Sequence, residues 1–152
     1  MKKTLLLFSA MAVASGAYAE DQAELGKTVY MTVCVACHQP TGLGLPPVFP
    51  TLSKTEYVSG SPERFAAMIL KGVMGPITVN GQQFSNIMPP QEALLTDEKI
   101  AAAITYVRSN FGNTSPAVSA AVVAAARKKF ADKKTSWTEA ELKAWPEEKT
   151  NP

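Results

Sequence analysis

At 152 residues the chain has room for one domain of ordinary size, or for a small domain with an extension. Its 46% apolar and 18% charged residues are those of a soluble globular protein, and eleven prolines with nine glycines favour long irregular loops over a dense array of strands. Fifteen basic residues stand against thirteen acidic ones, but two of the lysines fall in a leader, so thirteen face thirteen in the mature chain and no uniform basic field is left to hold nucleic acid.

The leader comes first in the chain. Lys2 and Lys3 form a positive n-region, Leu5 to Ala14 an apolar stretch, and Ala17-Tyr18-Ala19 a small-x-small site, which predicts a signal peptide over residues 1–19, cleaved after Ala19. About ten apolar residues cannot cross a hydrocarbon core about 30 Å thick, and no cysteine follows them to take a lipid. The expectation is a periplasmic protein with no integral membrane segment in the mature chain. Residues 20–112 then carry six basic and eight acidic groups and residues 113–152 seven and five, a mildly acidic body and a mildly basic extension.

Glu24, Leu25, Thr28, Val29 and Thr32 are compatible with a helix leading into Cys34-Val35-Ala36-Cys37-His38. Both cysteines and the one histidine of the chain fall within these five residues. A Cys-x-x-Cys pair can be a thiol-redox motif, but no strand of a βαβ unit precedes this one. Closed zinc sites take four ligands, and the chain offers three of the Cys/His type. A histidine immediately after the second cysteine is the haem c attachment pattern. Two thioether bonds from Cys34 and Cys37 would hold one haem covalently, and His38 would ligate its iron through Nε2.

No second histidine exists, so the opposite axial position points to methionine. Met31 lies on the entering helix and reaches the other haem face poorly. Met68 sits in a predicted helix, with Ser61 as N-cap and Pro62 at its first position, and reads as core packing. Met74 follows that helix in Gly72-Val73-Met74-Gly75-Pro76. Met88 stands before Pro89-Pro90, which keeps it out of a helix and in a stiff extended segment suited to presenting a thioether sulfur. Met88 is therefore the expected ligand and Met74 the reserve. Thr96 then caps a helix with Asp97 and Glu98 in its first turn, Ile100, Ile104, Val107 and Phe111 at helical spacing, and a stop at Gly112-Asn113.

The order of these features resembles the class I mono-haem cytochromes c of bacteria across about residues 21–112: a helix with Gly26 and Tyr30, the attachment motif, Gly42-Leu43-Gly44-Leu45-Pro46-Pro47, Ile87-Met88-Pro89-Pro90, and a last helix containing Tyr106-Val107. The resemblance implies an all-α fold wrapped round one haem, with His38 and Met88 as axial ligands. It implies that the first and last helices cross, Gly26 allowing close approach near Tyr106. It also implies a proline carbonyl that accepts the proton on His38 Nδ1 and orients the ring; Pro46 is the candidate, with Pro47 second. Phe49, Tyr57 and Phe84 are expected in the haem pocket or core.

Residues 113–152 lie beyond the resemblance. Asn113-Thr114-Ser115-Pro116 reads as a linker, Ala117 to Ala131 as an alanine-rich helix, and Thr138-x-x-Glu141 as a capping box opening a short helix with Leu142 and Trp145. This extension either packs on its own domain through Val118, Val122, Val123, Phe130 and Trp137, or serves as a docking arm for a redox partner. The expected organisation is thus a cytochrome c domain over residues 20–112 and a helical C-terminal extension over 113–152.

An iron with both axial positions filled has no place for substrate, and the expected function is non-enzymatic: carrying single electrons between redox partner proteins. A fixed electron-transfer subunit of a larger oxidoreductase complex, a dehydrogenase or a terminal or nitrogen-oxide reductase, is the second reading. A haem catalyst or gas sensor is the third, and the Met88-Pro89-Pro90 element argues against it.

Overall fold

The computed structural model describes residues 22–146. The expected leader with its cleavage after Ala19, and residues 147–152, lie outside that range. Helix α1 spans 22–38 and is regular over 22–29, π-helical over Tyr30–Cys34 and α-helical again over Val35–His38. In the π turn the Val35 amide donates to the Tyr30 carbonyl. One extra residue in a turn rotates everything downstream by about 100°, which aims the Cys34–His38 turn independently of the face that packs Gly26 and Tyr30.

Three further helices begin where the cap residues predict. Ser61 accepts the Arg64 amide at the start of α3 (Pro62–Lys71), after the short α2 (Glu56–Ser59) capped by Thr55. Thr96 accepts the Lys99 amide at the start of α4 (Asp97–Ser109). Beyond α5 (Ala120–Lys129), Thr138 and Glu141 form the predicted capping box of α6 (Glu139–Lys143). Helix α4 ends before Phe111, because the Asn110 side chain turns back to the Tyr106 carbonyl and Phe111 takes a φ of 57°. Freed from the helix, the Phe111 ring packs against Tyr30 and Tyr106 at centroid distances of 5.1 and 5.7 Å. Asn113, expected as part of the stop, instead bonds through its side chain to the Leu52 and Val107 carbonyls and the Lys54 amide.

The molecule is mostly helical, with one departure from the all-α expectation. Strands β1 (Ile77–Val79) and β2 (Gln82–Phe84) pair antiparallel across Asn80-Gly81. Both turn residues have positive φ, 49° and 79°, the conformation that an Asn-Gly hairpin turn adopts with least strain. The alternation of Ile77, Val79 and Phe84, all buried, was the signal that a helix-by-helix reading overlooks.

Helices α1 and α4 cross at Gly26. A Cβ placed there would meet the Ala102 carbonyl and Tyr106 Cβ, both in fixed positions. Gly26→Ala therefore sets two effects against each other: helix propensity favours alanine by up to about 1 kcal/mol, whereas overpacking costs about 1–3 kcal/mol. The nearest atoms are backbone, so a net loss of stability is expected in a denaturant titration. An unchanged or raised midpoint would show that the two helices separate at little cost.

The extension packs on its own domain. Helix α5 lies against α3 and α4, with Val118, Val123 and Ala126 sharing a core with Phe65, Leu70, Ile100 and Ile104. Arg127 bonds Asp97 at 2.8 Å and the Glu92 and Leu95 carbonyls, and Lys129 pairs with Glu63. Basic arm thus meets acidic body. Phe130, Trp137 and Trp145 pack edge to face or tilted at 5.0–5.4 Å, and Trp137 with Leu142 joins a second buried cluster containing Tyr57, Met68, Val73 and Phe84.

Candidate functional site

The end of α1, the 48–58 segment, α3, the hairpin and the 86–91 segment line one strongly apolar cavity that opens to solvent on one side, the character of a cofactor pocket. Cys34, Cys37 and His38 line it from α1, and Met88 lines it from the extended segment. Phe49, Tyr57 and Phe84, expected in the pocket or core, all line the same space.

His38 stands at the last helical residue of α1, where Gln39 leaves helical geometry with φ 62°. Its Nδ1 lies 3.0 Å from the Pro50 carbonyl. A carbonyl only accepts, so Nδ1 carries the proton and Nε2 keeps its lone pair for a metal. Burial pushes the imidazole below its ordinary pKa, and the bond to Pro50 opposes that shift. Burial thus favours the neutral imidazole, and the bond to Pro50 orients the ring.

Pro50, not Pro46, is therefore the proline that orients the ring. Leu45 and Phe49 exchange backbone hydrogen bonds at 2.9 Å, folding residues 45–49 into a tight excursion. Pro46 and Pro47 sit exposed at its tip, outside the cavity lining. The Gly44 amide bonds the His38 carbonyl and the Leu52 amide bonds the Gly42 carbonyl, so the chain returns beneath His38 four residues later than the spacing suggests. The signal was Phe49-Pro50-Thr51, a second proline site within reach of the motif.

The thiols of Cys34 and Cys37 are unbridged and half-buried. Burial, reinforced by the neighbouring Cys37, pushes Cys34 up to about 11. A nucleophilic thiol of a disulfide oxidoreductase needs the opposite shift, so Cys34 is poorly suited to that role. The pair's place at the edge of an apolar slot, one helical turn apart and beside the His38 imidazole, fits thioether attachment of a flat apolar macrocycle.

Of Met31, Met68, Met74 and Met88, the second and fourth line the cavity. Met74, the reserve expected from the sequence, is 45% exposed and lies outside the lining. Met68 is buried on α3 and joins the apolar cluster as core packing, as its helical position predicts. Met88 lies in extended backbone paired with Val73, with two N–H···O bonds of 2.9 Å. Among the described residues no helix is long and apolar enough to cross a membrane.

Residues 23–111 match the cytochrome c family. The chain is 33% identical to a cytochrome c-552 of Thermus thermophilus over 117 residues, 74% of each protein. It is also 29% identical to the cytochrome c subunit of the quinone alcohol dehydrogenase of Gluconobacter oxydans, over 82% of this chain and 26% of that subunit. The fructose dehydrogenase cytochrome subunit of Gluconobacter japonicus is 36% identical, over 64% of this chain and 21% of the subunit. The haem-binding pattern, the helices around the cavity and these likenesses agree: the chain belongs to the cytochrome c family, whose members are electron carriers that bind haem c covalently, not enzymes.

Proposed function

We propose that this chain is a periplasmic one-electron carrier holding a single haem c, with His38 and Met88 as axial ligands and Cys34 and Cys37 as the covalent attachments. The observation that carries the reading is the convergence of these four side chains on one apolar cavity. When bound, haem supplies a reversible ferric–ferrous couple.

The chain's own residues do the rest. Pro50 keeps the His38 tautomer and ring plane fixed through both oxidation states. The apolar lining excludes water, and a neutral thioether facing a neutral imidazole adds no charge to offset the ferric form, so both raise the potential. With His38 and Met88 both holding the iron, no position on it would be open to substrate. At the mouth, Val48 and Ile87 line the cavity while 42% and 58% exposed, a small apolar rim suited to brief docking of redox partners. The extension is already packed on its own domain, which favours a freely exchanging carrier over a permanent subunit. The likeness to dehydrogenase subunits keeps the subunit reading in view, at about a quarter of their length.

The test is the exported protein purified from a haem c-maturing host. One haem per chain should survive denaturation and acid extraction, and the ferric spectrum should show the far-red band of methionine–iron coordination. Native mass measurement should find the chain alone. Haem lost on extraction would overturn covalent attachment, and recovery in a stable assembly with a dehydrogenase would establish the subunit reading.

A further inference from the structure

The extension reaches the methionine side of the cavity by a short backbone ladder. Met88 exchanges both of its hydrogen bonds with Val73. On the other side of Val73, the Trp137 amide donates to the Gly72 carbonyl at 3.0 Å and the Met74 amide donates to the Trp137 carbonyl at 2.8 Å. Three extended segments therefore lie side by side, with Val73 between Met88 and Trp137. The indole Nε1–H of Trp137 donates to the Ala67 carbonyl at 2.9 Å, a buried bond that pins the outer segment to α3.

We propose that Trp137 is a positioning residue for Met88, holding its thioether in place against competing ligands; this rests on the reading of Met88 as an iron ligand. The physical reason lies in the middle segment. Residues 72–74 leave α3 through Gly72 at φ 73°, and a Cβ there would strike the Met88 carbonyl, so a flexible residue sits directly beneath the ligand loop. Without the Trp137 side chain, residue 137 keeps its backbone bonds to Gly72 and Met74 but loses the indole bond to Ala67 and its packing in the cluster that Met88 adjoins, so the outer segment is held less firmly to the fold. A segment whose outer neighbour is loosely anchored frays more readily, and every opening of Val73 releases both bonds to Met88. Glu139, two residues on, accepts the Thr78 amide at 2.7 Å, fastening the same arm to the hairpin.

The experiment is a titration of the ferric holoprotein with imidazole, read by loss of the far-red band, in wild type, Trp137→Ala, Trp137→Phe and Val123→Ala. Trp137→Ala should bind imidazole about tenfold more tightly, which is about 1.4 kcal/mol, the scale of one lost buried hydrogen bond. Trp137→Phe, which keeps an aromatic ring in the cluster but also loses the N–H bond to Ala67, should bind imidazole with an affinity between those of wild type and Trp137→Ala. Val123→Ala removes packing from the other cluster, and should lower global stability while leaving imidazole affinity unchanged. Equal affinity gains in Trp137→Ala and Val123→Ala would reduce Trp137 to a generic stabiliser and overturn the proposal, as would wild-type affinity in a folded Trp137→Ala protein. Met88→Ala is run alongside: if it keeps the band, the ligand assignment fails, whereas if it loses the band and Trp137→Ala is silent, the positioning role fails. Should Trp137→Ala not fold, native-state amide exchange of wild type decides. The Trp137, Val73 and Met88 amides should open as one unit, and opening of Trp137 with Met88 still protected overturns the proposal.

Discussion

Met88→Ala is expected to remove the far-red band of the ferric protein, to open the ferrous iron to carbon monoxide, and to lower the reduction potential by on the order of 100 mV or more. A soft thioether stabilises the ferrous state over the ferric one. Its removal leaves either a vacant position or a water, and water favours the ferric ion. The same truncation widens an apolar cavity toward solvent at a half-buried position, which raises local polarity and acts in the same direction. At about 59 mV per tenfold change for one electron, a shift of that size moves the ratio of reduced to oxidised protein by nearly two decades. Because Met88 sits in extended backbone whose bonds to Val73 are main-chain only, alanine keeps the ladder and the fold should survive. Absorption spectroscopy and a redox titration check the prediction. A surviving band would hand the ligand role to Met68, the other thioether on the cavity wall.

Arg108→Leu should produce the largest loss of stability, about 3–5 kcal/mol in a denaturant titration, out of the 5–15 kcal/mol typical of a folded domain. Arg108 is 4% exposed on α4. Its Nη1 donates to the Val58 carbonyl at 2.6 Å and the Gly60 carbonyl at 3.0 Å, and its Nε to the Pro116 carbonyl at 3.0 Å. One guanidinium thus joins the end of α2, the turn before α3 and the segment that starts the extension. Leucine fills much of the volume but leaves these carbonyls without those donors in poorly hydrated places. Arg108→Lys should rescue little, since a compact ammonium cannot reproduce the fork that reaches three carbonyls. A loss below about 1 kcal/mol for Arg108→Leu would mean that water replaces the guanidinium freely.

The attachment motif, the helix starts and the non-helical setting of Met88 were legible in the chain itself because each depends on local chemistry. Thioether attachment and ligation need Cys34, Cys37 and His38 on adjacent turns. Caps at Ser61, Thr96 and Thr138 act on amides three residues away. Prolines following Met88 exclude a helix whatever the rest of the molecule does. With one histidine available, the sequence by itself also determined that the second ligand of a six-coordinate iron is not an imidazole of this chain.

Only the tertiary structure decided what depends on the chain's return path. The orienting carbonyl belongs to Pro50 and not Pro46, because the excursion from Leu45 to Phe49 carries Pro46 out to solvent. Arg108 looks like an ordinary basic residue in the last turn of a helix, and its burial against three carbonyls follows from where α2 and residue 116 pass. Two roles for the extension, packing or docking, were both open to a reader of residues 113–152, because an amphipathic arm does not encode which surface covers it. The fold shows the packing through long-range main-chain bonds, Trp137 to Gly72 and Met74, which have no sequence signature since every residue but proline carries the same amide and carbonyl.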